Sequence, residues 1–170
     1  KKLENYTLEA YASVFEQMVK AYAPEMILVG ATGIGAELAP TLAAKLKTGL
    51  AAHCIDIRVD EEKDRMNCMV PAFGGRVVSE IYIPQTRPMM ASIRPGILER
   101  KECRMTCEEV IKADVTYLDT YKFGEEFLEF IPIEQKGIKV EDANVVVAVG
   151  RGVSTEEAWN DANEIASKLG

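Results

Sequence analysis

An unbroken apolar run followed by glycines is the first recognisable unit of the chain. Residues 26–29 are all apolar, as in a strand that is covered on both faces of a parallel sheet. Gly30, Gly33 and Gly35 follow, and apolar residues then recur at helical spacing. The pattern predicts a buried strand, a tight glycine turn and a helix that Thr32 can cap.

The same order returns near the end of the sequence. Residues 145–149 are a second apolar run, residues 150–152 read Gly-Arg-Gly, and apolar residues then recur at helical spacing after Ser154 or Thr155. This turn carries a cation, Arg151, at the mouth of the predicted helix. A guanidinium beside a helix N-terminus is a good anion site.

The middle of the chain is predicted to be rich in β-structure. Short extended runs are separated by glycines and turn residues, and Pro71, Pro84, Pro88 and Pro95 argue against a helix there. The predicted helices cover residues 3–23, about 36–47 and a short segment after Thr106, and Gly49 is predicted to end the second of them. The predicted strands cover residues 26–30, 50–59, 68–73, 77–83, 89–93, 115–118, 127–133 and 145–149.

These elements together predict an α/β fold with a largely parallel sheet and a β-rich middle segment. The 170 residues are enough for one domain with a substantial core. The charge balance is acidic, with 20 Lys and Arg against 27 Asp and Glu and a net charge of −7. Nucleic acid is therefore not expected as the main partner, because binding phosphates needs a basic surface. No apolar run approaches the ~20 residues of a membrane span, and no secretory leader is visible, so we expect a cytoplasmic protein.

Residues for catalysis or metal binding are few. The cysteines are Cys54, Cys68, Cys103 and Cys107, and their spacing fits neither a zinc motif nor a redox motif. His53 is the single histidine, and its position next to Cys54 on a strand would place the two side chains on opposite faces. We therefore expect reduced thiols, no metal site, and no Ser-His-Asp catalytic set.

The first glycine turn has two possible roles. It could be a plain strand-to-helix connection, or its N–H groups could cradle a phosphate. Its spacing is Gly-x-x-Gly-x-Gly, which is neither the dinucleotide fingerprint nor a P-loop, and no Lys-Ser or Lys-Thr pair follows. As evidence for nucleotide binding it is weak.

Several segments occur in an order that resembles the α subunit of electron transfer flavoprotein. They cover nearly all of residues 20–170, and each is weak alone. The segments are Ile-Leu-Val-Gly-Ala-Thr-Gly-Ile-Gly at residues 27–35, Leu-Ala-Pro at 38–40, Ala-Ala-Lys-Leu-Lys-Thr-Gly-Leu at 43–50, Pro-Ala-Phe-Gly-Gly at 71–75, Ser-Ile-Arg-Pro-Gly at 92–96 and Val-Ala-Val-Gly-Arg-Gly-Val at 147–153.

The resemblance implies a fold, a cofactor and a partner. The fold would be a three-layer α/β domain, similar to adenine nucleotide alpha hydrolases, with helices on both faces of the sheet. Residues 1–150 would be the N-terminal domain of the α subunit, and residues 151–170 would begin the FAD-binding domain, with the chain trimmed at both ends. The whole protein would be an α/β heterodimer with the β subunit, which takes electrons from dehydrogenases through FAD and is a carrier rather than an enzyme.

One contact with FAD carries over by motif. The Arg of the family's Gly-Arg-Gly segment contacts FAD, and here it is Arg151, with Gly150 and Gly152 allowing close approach. The chain alone would bind no FAD, because an incomplete site loses most of its contacts. Two alternatives stay open: an adenine-nucleotide-binding domain that uses the turn from Gly30 to Gly35, and a structural module that binds only its partner subunit.

Overall fold

The computed structural model describes residues 3–99, 110–132 and 137–169. By compactness the chain divides into two units, Lys1–Leu128 and Glu129–Gly170. The division lies at a different position from the domain boundary predicted between residues 150 and 151. A compact unit is not necessarily a domain, so the predicted boundary stays a prediction. The predicted short helix after Thr106, together with Cys103 and Cys107, lies outside the described residues.

The described part of the chain contains three α-helices and six strands. The helices are α1 (Leu8–Tyr22), α2 (Gly33–Leu46) and α3 (Glu156–Leu169). The strands are β1 (Met26–Gly30), β2 (Leu50–Cys54), β3 (Asp56–Asp60), β4 (Arg65–Ala72), β5 (Val77–Ile81) and β6 (Met89–Ile93). Short 3-10 turns occupy Phe73–Gly75, Thr116–Asp119 and Val140–Asp142.

A parallel sheet in the order β1-β6-β2 forms the centre of the first unit. In it Met26 pairs with Met89 and Gly30 pairs with Ile93. Met90 packs with Leu42 and Ala43 of α2 on one face of the sheet, whereas Met89 and Ala91 lie in a second core cluster on the other. Residues 89–92 of the central strand β6 are all buried because both faces of that strand are covered.

An antiparallel sheet in the order β3-β4-β5 supplies that second cluster. Met66 and Cys68 of β4 are buried there against the parallel sheet. In register, Cys68 pairs with Ile57 on one side and with Ile81 on the other. The β-rich middle predicted from the sequence is therefore a separate sheet that packs on the first.

The predicted α/β class and the parallel sheet are confirmed. Within the first unit, α2 contacts all three strands of the parallel sheet on one face, and α1 packs against α2. The other face is covered by β4. Helices were predicted on that face as well. In the described residues of this unit, a second sheet covers it instead.

The predicted strand at residues 50–59 is two strands that belong to different sheets. The chain leaves β2 at Cys54 and enters β3 at Asp56, with Ile55 alone between them. The backbone turns at His53, which adopts the left-handed conformation with φ of 56°. The continuous apolar pattern concealed the break because both halves contribute side chains to the same cluster.

Three other strand predictions are wrong in the described residues. Residues 115–118 end in a 3-10 turn, whose Leu118 is only 2 % exposed. Residues 127–132 and 145–149 are not strands, and most of their large apolar side chains are exposed. An apolar pattern indicates which face a strand would bury. A strand also needs a neighbouring strand to accept and donate the hydrogen bonds of its N–H and C=O groups.

The end of α2 also differs from the prediction. The helix closes at Lys47, which takes the left-handed conformation with φ of 54° and donates its N–H to the carbonyls of Ala43 and Ala44. Gly49 therefore does not end the helix. A Cβ at Gly49 would lie 3.0 Å from Cγ1 of Ile83, so a small residue is needed there for packing.

Candidate functional site

The predicted cofactor-binding residues form a tight exposed turn ahead of α3. The N–H of Val153 donates to the carbonyl of Gly150 at 3.1 Å, which closes the turn around Arg151. Gly150, Arg151 and Gly152 are all exposed. A Cβ built on either glycine would meet nothing within 4 Å, so the backbone on both sides of the arginine is open to close approach.

The helix that follows this turn begins as predicted. Thr155 caps it, because its Oγ1 accepts the N–H of Ala158 at 3.3 Å. The first turn of α3 carries Glu156 and Glu157, whose charges already complement the positive end of the helix dipole. The anion-binding capacity of this segment therefore rests on Arg151 more than on the helix N-terminus.

Arg151 is available for a ligand. No ion pair joins it to another side chain within the described parts of the chain. A guanidinium offers five N–H donors in a rigid plane, which suits a phosphate or the polar edge of a flavin. The geometry thus fits the predicted role, and the role of Arg151, Gly150 and Gly152 stays a prediction.

The turn at residues 30–35 is built around one close approach. The predicted cap is present, since Thr32 Oγ1 accepts the N–H of Gly35 at 3.2 Å. A Cβ at Gly35 would lie 1.8 Å from the carbonyl oxygen of Gly30, a distance too short for any side chain. At Gly33 the same Cβ would meet nothing within 4 Å. Of the three glycines, Gly35 is the one that the packing of α2 on β1 requires.

Most N–H groups of this turn already have acceptors inside the protein. Ala31 donates to Ile93, Thr32 donates to Gly30, and Ala36 donates to Thr32, all through backbone carbonyls. Within the described residues, the N–H groups of this turn that lack an acceptor are those of Gly33 and Ile34, at the start of α2. Two donors make a weaker cradle for a phosphate than the sequence pattern suggests.

A carboxylate at the same end of α2 further opposes an anion. Glu37 is the fifth residue of α2, beyond its first turn, and Tyr6 donates its hydroxyl to Glu37 Oε2 at 3.3 Å. Burial, followed by the charge of Glu37, raises the pKa of Tyr6 to about 12. Sequence reasoning missed this pair, because the two residues lie 31 positions apart and neither belongs to a motif.

Two further findings concern the described residues only. No three side chains of His, Cys, Asp or Glu approach one another closely enough to hold a metal ion there. No helix in the described ranges is both long and apolar enough to cross a membrane.

Comparison with known proteins places the chain in a family. The family described as "Electron transfer flavoprotein domain" matches residues 1–118. The chain belongs to the electron transfer flavoprotein family. The resemblance inferred from the ordered motifs is thereby confirmed, and two of those motifs are the glycine turn and the Pro-Ala-Phe-Gly-Gly segment that ends β4.

Several named proteins resemble almost the whole chain. The "Electron transfer flavoprotein subunit alpha" of Megasphaera elsdenii is 38 % identical over 172 residues, which cover 99 % of this chain and 51 % of that protein. The "Lactate dehydrogenase (NAD(+),ferredoxin) subunit LctC" of Acetobacterium woodii is 35 % identical over 99 % of this chain and 40 % of that protein. The "Acryloyl-CoA reductase electron transfer subunit beta" of Anaerotignum propionicum is 30 % identical over 91 % of this chain and 49 % of that protein.

The chain spans about half the length of the curated relatives that it matches. The activity, cofactor and partners of a whole electron transfer flavoprotein are therefore proposals for this chain.

Proposed function

We propose that this chain is the N-terminal portion of an electron transfer flavoprotein α subunit, and that it works as a scaffold in an α/β heterodimer. The observation that carries the proposal is the family match over residues 1–118, joined by similarity over 99 % of the chain to proteins named as α subunits. In this reading residues 1–150 are the scaffold domain, and residues 151–170 begin the FAD-binding domain. The heterodimer would be cytoplasmic.

In the full-length heterodimer, Arg151 would hold FAD through its guanidinium. FAD supplies the capacity to accept and release electrons. An exposed guanidinium without an ion-pair partner among the described side chains can pair with the negative charge that reduction adds, and this stabilises the reduced form. Gly150 and Gly152 would let the backbone approach, since a Cβ at neither position meets a neighbour.

The proposed role is that of an electron carrier. Electrons would come from dehydrogenases and leave through the assembled protein, and this chain would supply structure and a cofactor contact rather than a catalytic group. The names of two relatives, one in a lactate dehydrogenase and one in an acryloyl-CoA reductase, support an association with such enzymes. The chain would pair with the β subunit and bind FAD only within the complex.

The test is a flavin measurement on the full-length α subunit co-purified with its β subunit. We expect Arg151→Ala to weaken FAD binding by roughly 10- to 100-fold, as loss of a charge-assisted hydrogen bond does, and to lower the flavin potential. Arg151→Lys keeps the charge but loses the planar fork, so its potential should lie between the two. Arg58→Ala is the matched control, because Arg58 is an exposed arginine whose ion pair, with Asp56, lies outside the Gly-Arg-Gly turn.

Two results would overturn parts of this proposal. A heterodimer that stays colourless after FAD is added would remove the flavoprotein assignment. A yellow heterodimer in which Arg151→Ala matches Arg58→Ala in affinity and potential would remove only the role of Arg151.

The alternative is adenine-nucleotide binding at the turn from Gly30 to Gly35. It is supported by the two N–H groups at the start of α2 and opposed by the negative charge of Glu37, the fifth residue of the same helix. Calorimetric titration of the 170-residue chain with ATP and with AMP distinguishes the scaffold hypothesis from nucleotide binding at this turn. We expect no heat of binding, and micromolar affinity would favour the alternative.

A further inference from the structure

The edge strand β5 of the antiparallel sheet directs backbone hydrogen-bonding groups away from its own sheet. On the central strand β4, the carbonyl of Met69 accepts the N–H of Ile55, just before β3, so the backbone groups of Met69 point towards β3. Those of Pro71 point the same way, because the direction alternates along a strand. In register, Met69 and Pro71 lie opposite Glu80 and Val78 of β5. The backbone groups of Val78 and Glu80 therefore point outwards from the sheet.

The two edges of this sheet differ in how their backbone groups are satisfied. On β3, the outward N–H of Ile57 donates to Asp56 Oδ1 at 3.0 Å, and Asp56 also pairs with Arg58. On β5, the outward N–H groups of Val78 and Glu80 have no acceptor among the described residues. Proteins usually protect an edge strand with charges or captured N–H groups, as β3 does here. The edge of β5 is open to pairing with a further strand.

The side chains along β5 are also suited to a partner. Val77, Val78 and Ile81 are 49 %, 52 % and 37 % exposed, and Tyr82, which follows the strand, is 48 % exposed. An exposed apolar strand with open N–H and C=O groups is a template for strand addition.

We propose that β5 pairs antiparallel with β5 of a second copy of this chain, with the two Val78 residues opposite each other on the two-fold axis. Arg76 and Glu80 lie two positions before and two positions after Val78. This register therefore places Arg76 of each copy opposite Glu80 of the other. Both side chains are exposed, and neither has an ion-pair partner among the described residues.

The charge pattern selects a second copy as the occupant. A two-fold axis presents the same surface twice, and only a self-complementary surface satisfies it. One strand that carries a cation and an anion at equal distances from the axis meets this condition, and the axis forms both ion pairs at once. The register also keeps like charges from lying opposite each other.

The pairing closes as a dimer and does not propagate. The joined sheet would have six strands with β3 at both ends, where Asp56 already protects the edge. Association should be weak, because pairing through one five-residue strand buries less than the ~1,200 Å² of a stable interface. The pairing requires neither FAD nor Arg151, so it is independent of the proposed flavin role.

The experiment is sedimentation velocity on the 170-residue chain over a concentration series, with circular dichroism to confirm that each variant folds. We expect a reversible dimer. Arg76→Glu places carboxylates opposite each other at both ends of the pairing, and Glu80→Arg does the same with guanidinium groups. Each should weaken dimerisation at least about tenfold. Arg58→Glu, the same charge change on the opposite edge strand, should leave the dimer intact.

Mixing the two variants tests the antiparallel register. One variant carries only acidic groups at positions 76 and 80, and the other carries only basic groups. An equimolar mixture of Arg76→Glu and Glu80→Arg should therefore form a dimer that neither forms alone. The double variant R76E/E80R should dimerise again by itself. A folding defect cannot produce this rescue.

Three results would overturn the proposal. The first is a wild-type chain that stays monomeric throughout the concentration series. The second is a dimer that Arg76→Glu does not weaken, or a mixture of the two variants that stays monomeric. The third is a monomeric chain whose Arg76→Glu variant, in the full-length α subunit, no longer co-purifies with the β subunit, which would assign this edge to the β subunit instead.

Discussion

At the scale of single residues, the close approach at Gly35 shows how one atom decides where a helix can lie. The start of α2 touches the end of β1, and the contact partner of a Cβ at Gly35 would be the carbonyl oxygen of Gly30. A backbone atom cannot rotate away as a side chain can. The glycine is therefore required by contact rather than by backbone angle, because α2 begins with ordinary helical geometry.

Replacement of this glycine should destabilise the fold. We expect Gly35→Ala to lower the free energy of unfolding by about 1–3 kcal/mol or more, as overpacking does, measured by urea unfolding. Gly33→Ala is the control, since a Cβ there meets nothing. It should be neutral or stabilise by up to about 1 kcal/mol through helix propensity. Equal losses in the two variants would contradict the contact argument.

A second residue-scale prediction concerns Tyr6. Burial and the charge of Glu37 raise its pKa from 10.0 to about 12. Its neutral form therefore contributes stability that is complete below pH 10 and is lost as the pH rises towards 12. Ultraviolet titration of tyrosine ionisation should show that Tyr6 ionises at a pH well above 10. Glu37→Gln should move that group to lower pH, and an unchanged titration curve would exclude the pairing.

At the scale of elements, a carboxylate that lies far away in sequence caps helix α1. Thr7 occupies the N-cap position but makes no side-chain cap bond. Instead, the N–H of Glu9 donates to Glu125 Oε1 at 2.7 Å, and Glu9 Oε2 accepts the N–H of Gly124 at 2.7 Å. The reciprocal pair fastens the segment around Gly124 to the start of the helix, where negative charge is favoured.

Removal of this cap should loosen the first turn of α1. We expect Glu125→Ala to cost about 0.5–2 kcal/mol, the usual range for loss of an N-cap, and to speed hydrogen exchange at residues 8–11. Glu126→Ala is the matched control, because Glu126 is the adjacent exposed glutamate and the N–H of Glu9 donates to Glu125 instead. Equal exchange rates in the two variants would show that Glu125 contributes no cap.

At the scale of the whole molecule, alkaline pH should lower stability. Burial raises the pKa of the Cys68 thiol to about 12, and it also raises that of Cys54, from an ordinary value near 9. The native state then holds protons that the unfolded state releases, so the free energy of unfolding falls as the pH rises above 9. Urea midpoints at pH 8, 9 and 10 measure the slope. Cys68→Ala should flatten it, and an unchanged slope would contradict this origin.

The sequence predicted elements whose apolar pattern coincides with a pairing partner. Strands β1, β4, β5 and β6 and helices α2 and α3 lie close to their predicted positions, because apolar periodicity and caps such as Thr32 and Thr155 are local features. Helix α1 begins at Leu8, later than the predicted start at residue 3. Residues 145–149 have an equally apolar pattern but no strand pairing among the described residues. Hydrophobicity states a preference for burial, but it does not supply the neighbouring strand.

The candidate site shows the same limit. The Gly-Arg-Gly turn could be found from the motif, and its openness follows from two glycines with no neighbouring atoms. The distant pairs could not be found, because Tyr6 with Glu37 and Glu9 with Glu125 depend on tertiary packing. Such contacts leave no periodic trace in the sequence.

The single-residue link at Ile55 has a practical consequence for engineering. The chain crosses from one sheet to the other with no spare length, so an inserted residue there would have to shift one strand register by a full step and turn its side chains to the opposite face. The turn at residues 61–64 is an exposed hairpin tip, where an insertion at Glu61 or Glu62 leaves both the strand registers and the 2.7 Å pair of Asp64 with Arg87 in place. A fluorescent label or affinity tag should therefore be inserted at that tip, where it leaves the strand pairing of both sheets unchanged.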